Sequence, residues 1–241
     1  MGDRATARVV GSLFIAATVA GVLAGVFQQA VVNEPDYLMQ MTLHEGRVAT
    51  GALLELLMGV AVVGIVIAIY PVLRRYSERF ALGYVVARTI EGVLYGVSAI
   101  ALLTLLTVSG DFVEAGASEA SRLQTLGATV AAARDWGNAT VLVFAFTLSA
   151  LILNWVLYRA RLVPRWLSVW GLVATPLFLA EGVWVLYGLG PFSTTQTLMD
   201  LLLAVQEMTL ALWLIFKGFA APTVVPEPEG RSPRERVAVG G

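Results

Sequence analysis

Six apolar runs dominate this chain, and each is long enough to cross a lipid bilayer. They fall at Val9–Val32, Val48–Val72, Ala81–Ser109, Asn138–Tyr158, Trp166–Leu189 and Thr197–Phe219. A hydrocarbon layer about 30 Å thick takes about 20 largely apolar residues as an α-helix, and it holds no water to satisfy an open backbone. The expected fold is therefore all-α: a polytopic membrane protein whose residues 1–220 form a bundle of six transmembrane helices. Composition agrees, with 58 % hydrophobic and 14 % charged residues against about 45–50 % and 25 % in soluble domains.

The few charges are unevenly placed. Arg4 and Arg8 precede the first run, Arg74, Arg75 and Arg79 follow the second, and Arg159, Arg161 and Arg165 follow the fourth. Lys217, Arg231, Arg234 and Arg236 bring that side to twelve basic residues, while Arg47, Arg122 and Arg134 fall on the other. Basic residues stay on the cytoplasmic side, so both termini are expected inside a cell (inner) membrane after six crossings. The first run exceeds the 7–15 apolar residues of a signal-peptide core, so it reads as a signal anchor. Residues 221–241 carry Pro222, Pro226, Pro228 and Pro233 among charges and glycine. A disordered cytoplasmic tail is expected there, because so little apolar surface cannot offset the entropy of ordering.

Short turns at Leu73–Phe80 and Arg159–Arg165, with Pro71 and Pro164 beside them, make hairpins of spans two and three and of spans four and five. The longest outer loop is Gly110–Gly137. Within it Ser121 and Gln124 have the spacing of a capping box, and Leu123, Leu126 and Val130 share a helical face. That pattern predicts a short amphipathic helix on the outer surface. In the first run Ala17, Gly21, Gly25 and Gln29 recur at steps of four, a small-residue face suited to packing within the bundle.

The spans are not purely apolar. Glu55, Glu91, Glu181 and Glu207 lie deep inside four of them, and Arg88 is the one basic residue at comparable depth. A charge at the centre of a bilayer costs about 2.5–3.5 kcal/mol even on the most lenient scale, so such residues mark candidate functional sites. In span three, Tyr84, Arg88, Glu91, Tyr95 and Ser98 recur at helical steps and share a stripe, and Arg88–Glu91 has the i,i+3 spacing of a salt bridge. In span two, Gly51 and Gly59 flank Glu55 at four residues on either side, which lets a neighbouring helix approach the carboxylate. Asp200 lies two turns before Glu207 on one side of span six, and Pro176 frees a backbone acceptor ahead of Glu181. Candidate ligand- or ion-binding residues are thus Glu55, Arg88, Glu91, Glu181, Glu207, Tyr84, Tyr95 and Asp200. Unless Arg47 or Arg134 reaches inward, acid exceeds base in this interior, and the surplus carboxylates need a proton or a cation.

Other chemistries find less support. The chain has no cysteine and one histidine. His44 beside Glu45 is a weak metal candidate, since zinc sites draw on several such ligands. No phosphate-binding GxxxxGK[ST] loop, GxGxxG fingerprint or HExxH helix occurs, so no cofactor is implied. No basic stripe beyond the topological arginines points to nucleic acid. A three-residue echo, Glu91-Gly92-Val93 and Glu181-Gly182-Val183, follows each hairpin turn and hints at parallel repeats.

Longer motifs carry a resemblance. Leu53-Leu54-Glu55-Leu56, Tyr70-Pro71-Val72-Leu73, Arg88-Thr89-Ile90-Glu91-Gly92, Leu162-Val163-Pro164-Arg165-Trp166, Gln206-Glu207-Met208 and Lys217-Gly218-Phe219 occur in order. Together they resemble a bacterial and archaeal membrane family, domain of unknown function 4386. The resemblance implies a multi-pass membrane protein and assigns no catalytic residue. The leading expectation is cation- or proton-linked binding or transport of a small solute. The alternatives are a structural or accessory membrane subunit, and an intramembrane enzyme using paired carboxylates.

Overall fold

The computed structural model describes residues 3–32, 34–187 and 194–220. They form α1 (Asp3–Val32), α2 (Tyr37–Leu43), α3 (Glu45–Leu73), α4 (Glu78–Glu114), α5 (Ala117–Trp136), a π segment (Gly137–Val141), α6 (Leu142–Arg159), α7 (Arg165–Leu186) and α8 (Thr194–Phe216). Among the described residues there is no strand. The α5–π–α6 stretch is continuous, so these elements make seven helical rods. The expected tail, 221–241, lies outside the described residues.

Five stretches are long and apolar enough to cross a membrane: Asp3–Gln29, Glu45–Leu73, Glu78–Glu114, Glu119–Arg159 and Arg165–Leu186. α8 covers the sixth expected span, but its side chains are described only from Asp200, too short a stretch to count with these five. The exterior of the bundle is apolar: Val60, Ile67 and Ile100 are 65–71 % exposed, while Arg88, Glu91 and Asn154 are buried. Apolar residues outside and polar residues inside, on helices of this length, suggest a membrane-embedded protein.

Two apolar cores sit at opposite ends. One gathers Ala7, Phe14, Ile69, Leu73, Tyr84, Leu157, Leu167 and Leu210 around the short turns. The other gathers Val31, Met41, Val48, Ala52, Leu102 and Leu105, with Val130 packed against it. Along α3 and α4 the polar residues Glu55, Arg88 and Glu91 fall between these cores, so the cores hold a polar belt from both sides.

The outer connection differs from the expectation. α4 runs to Glu114, and α5 is a 20-residue helix that starts at Ala117 after Gly116 in an extended conformation. Ser121 is therefore inside the helix rather than its cap, and Leu126 is exposed while only Leu123 and Val130 turn partly inward. The alanine-rich run 117–136 has high helix propensity, so the helix begins before the local capping-box match and no loop separates it from span four. Gly137 does not stop it either, having ordinary helical angles. α2 was not anticipated. Ser109 on α4 holds it in place: its Oγ donates to the Leu38 carbonyl and lies 2.5 Å from Thr42 Oγ1.

The inward face of α1 also departs from the four-residue ladder. Ala17, Ala20, Ala24, Gln28 and Val31 are buried, whereas Gln29 is exposed. Each step of four overshoots a helical turn by about 40°, so the ladder drifts off the face within three steps. Gly21 still serves close packing, because a Cβ there would lie 2.8 Å from Met58 Sδ on α3.

Candidate functional site

α4 carries the centre of the polar belt. Its stripe turns Tyr84, Arg88, Glu91 and Ser98 into the bundle, with Tyr95 partly buried beside Gly59. Arg88 Nη1 donates to Glu91 Oε1 and Oε2 at 3.0 and 2.9 Å. The same nitrogen lies 3.4 Å from Ser149 Oγ, which is 3.3 Å from Glu91 Oε2 and 2.8 Å from the Phe146 carbonyl. Phe14 and Phe146 place their rings 5.5 and 5.4 Å from the guanidinium carbon, a cation–π arrangement suited to a desolvated arginine. From α8, Glu207 Oε1 comes within 3.8 Å of Arg88 Nη2. One guanidinium thus stands between two carboxylates.

A cavity of about 10 Å³ adjoins this group, lined by Tyr84, Arg88, Ser149, Asn154, Gln206 and Glu207 among others. That is roughly the room of one water molecule. The Tyr84 hydroxyl and Arg88 Nε are buried without a hydrogen-bond partner, which leaves two groups facing this interior with unused capacity. On the far wall Gln206 Nε2 donates to Asn154 Oδ1 and to the Leu167 carbonyl, both at 3.3 Å. Gly171 makes that junction possible, because any Cβ there would meet the Asn154 amide at 2.4–2.5 Å.

A second cluster forms nearer the end opposite the short turns. Arg134 of α5 reaches inward, and its Nη2 lies 2.5 Å from Glu55 Oε1 and 2.6 Å from Gln28 Oε1. Glu55 Oε2, Gln28 Nε2 and Arg134 Nε remain unpartnered. Gly51 admits Gln28, since a Cβ would fall 2.7 Å from its side chain, and Gly59 admits the Gly92 backbone of α4 in the same way. The interior therefore contains a second base, and the acid excess is smaller than the spans alone imply.

Glu181 stands apart. It is buried on α7, with both carboxylate oxygens unpartnered. The echo has a structural counterpart: Gly92 packs its helix onto α3, and Gly182 packs α7 onto Val143 and the Ala139 carbonyl. The two hairpins thus use the glycine alike, but only Glu91 is given an arginine. Asp200 is exposed on α8 and does not join Glu207. His44 and Glu45 are exposed where α2 meets α3. Among the described residues no group of three histidine, cysteine or acidic side chains is gathered to hold a metal ion.

Sequence reasoning named Arg88, Glu91, Glu207 and Tyr84, which the fold brings together. It missed Gln28, Ser149, Asn154 and Gln206, and it held Arg134 only as a residue that could turn inward. Asn154 and Gln206 are strongly polar residues within apolar runs, a signal available in advance; Ser149 is too common in membrane helices to stand out.

An all-α bundle with five long apolar helices, an apolar exterior and a buried polar belt suggests a membrane-embedded protein. The chain belongs to the family described as Domain of unknown function (DUF4386), which matches residues 9–218. Neither the curated proteins nor the solved structures provide a match to it.

Proposed function

We propose that this protein binds or transports a small solute in a process linked to a proton or a monovalent cation, with the polar belt as the site. The observation that carries the reading is the Arg88 group: one positive charge between Glu91 and Glu207 beside a cavity of water size. In low dielectric such a cluster is neutral only when it also holds a proton or a second cation. Tyr84, Asn154 and Gln206 supply the donors and acceptors that a polar solute would meet. Purified protein should therefore change its melting temperature with pH and with added cations, and Glu207→Gln should blunt the response to pH. A wild type indifferent to both, alongside an unstable Glu207→Gln, would leave a scaffold instead.

The scaffold reading, a structural or accessory subunit, has its own support. Glu55 and Glu91 each have an arginine within 3 Å, as they would in a network that only holds helices in register. It accounts less well for Glu181, which has no counter-charge among the described residues, and for Glu207, whose arginine partner is 3.8 Å away and shared with Glu91.

The same reading includes the membrane arrangement: six crossings, with α8 as the last, and both termini cytoplasmic. With Arg134 turned inward, the outer side keeps only Arg47 and Arg122 against twelve basic residues opposite. α4 and the α5–π–α6 rod are about 55 and 65 Å long at 1.5 Å per residue. Both exceed the hydrocarbon thickness of about 30 Å, so their outer halves stand beyond it, with α2 packed beside α4. The lipid bilayer is the one partner this arrangement requires.

A further inference from the structure

Of the four interior glutamates, Glu181 has no basic residue within ion-pair distance among the described residues. Its side chain is more than nine-tenths buried, and neither oxygen accepts a hydrogen bond. A carboxylate so placed, with no counter-charge among the described residues, calls for a proton or a bound cation.

The segment packed against the next residue of α7 carries unpartnered oxygen. α7 packs at Gly182 against the π segment, where a Cβ on Gly182 would lie 3.6 Å from the Ala139 carbonyl oxygen and 2.6 Å from Val143. In that segment the Leu142 N–H bonds to the Gly137 carbonyl, five residues back. When a helix returns from five-residue to four-residue spacing, one carbonyl is passed over and left to seek another partner; such insertions recur at functional sites. Thr140 Oγ1, within the same segment, is buried and also without a partner. α7 ends at Leu186, five residues beyond Glu181 and about 7.5 Å along the axis, and a helix C-terminus carries negative partial charge.

We infer that Glu181, together with the oxygens of the π segment, forms a binding site for a monovalent alkali cation. Oxygen donors of this kind suit hard cations, and freed backbone carbonyls coordinate sodium in membrane transporters. One buried negative charge matches one positive charge. A divalent ion would leave a surplus, since Asp200 is exposed and no group of three acidic ligands is gathered among the described residues. The segment is also mechanically tied to the polar belt, because Asn138 Nδ2 donates to Ser98 Oγ at 3.0 Å on the stripe that bears Arg88. Filling the ion site would thus bear on α4. The proposal rests on the cation-linked reading above and assigns the ion to Glu181.

The test uses the purified full-length protein at fixed pH, with sodium chloride replaced stepwise by choline chloride at constant ionic strength. Sodium should raise the melting temperature by roughly 5 °C once it exceeds its dissociation constant about 100-fold, and radioactive sodium should bind at one site per chain. Glu181→Gln should abolish both effects. Thr140→Val should weaken sodium about tenfold. Sodium binding that survives in Glu181→Gln, or its absence from the wild type, overturns the assignment. Should Glu181→Gln fail to fold, an unaltered sodium affinity in Thr140→Val overturns it equally. A pH response at Glu207 without sodium binding sinks this assignment alone, whereas the loss of both sinks the broader reading too.

Discussion

Arg134 lies 79 residues beyond Glu55 in sequence, and its Nη2 stands 2.5 Å from the Glu55 carboxylate and 2.6 Å from Gln28 Oε1. This contact ties α5 to α1 and α3. It also supplies Glu55 with a positive charge, which α3 offers only at Arg47, two turns away.

Arg134→Ala leaves Glu55 and Gln28 without their shared partner. Removing one half of a buried pair costs about 3–5 kcal/mol, so the detergent-solubilised variant should unfold at a clearly lower temperature. The double variant Arg134→Leu with Glu55→Leu should lose less than the two single losses added together. Additive losses would mean that the residues do not interact.

Arg88→Ala should be at least as damaging, since it strands Glu91 and Glu207 at once. Here too Arg88→Leu with Glu91→Leu should recover part of the loss, but not all, because Glu207 remains unpaired. Thermal unfolding of the two single variants and the double variant measures the coupling directly.

Gly171 and Gly46 should behave in opposite ways. A methyl at Gly171 would overlap the Asn154 amide, so Gly171→Ala should destabilise by about 1–3 kcal/mol and disturb the Asn154–Gln206 contact. Nothing lies within 4 Å of a Cβ at Gly46, so alanine there should be neutral or stabilise by up to about 1 kcal/mol through reduced chain entropy. Comparable destabilisation at both positions would argue against the close α6–α7 approach.

Reporter fusions check the orientation. Fusions at Tyr76 and after Val225 should report the cytoplasm, and a fusion at Glu114 the exterior, because basic residues stay inside. An external signal from the C-terminal fusion would remove one of the six crossings.

The helices were legible because a long apolar run in lipid has few alternatives to α-helix. The Arg88–Glu91 pair was legible because its geometry is local to one helix. The Arg134–Glu55 pair was not, because it depends on where α5 comes to lie over α1 and α3. α5 itself was misjudged as short: residues 110–137 are rich in alanine, serine and glycine, so hydrophobicity is silent there and a four-residue capping match stood in for a boundary. Gln28 was missed by one position, since a strict step of four selects Gln29 while the true helical period buries Gln28.

The central claim is that the Arg88 group holds an exchangeable proton or cation rather than serving as a fixed brace. Infrared difference spectroscopy of the purified protein between acid and alkaline pH observes a protonated carboxyl group directly. The account predicts a carboxylic-acid band that disappears as pH rises and is missing from Glu207→Gln, with the fold intact in both. A wild type with no pH-dependent carboxyl band, or a band unchanged in Glu207→Gln, would contradict it.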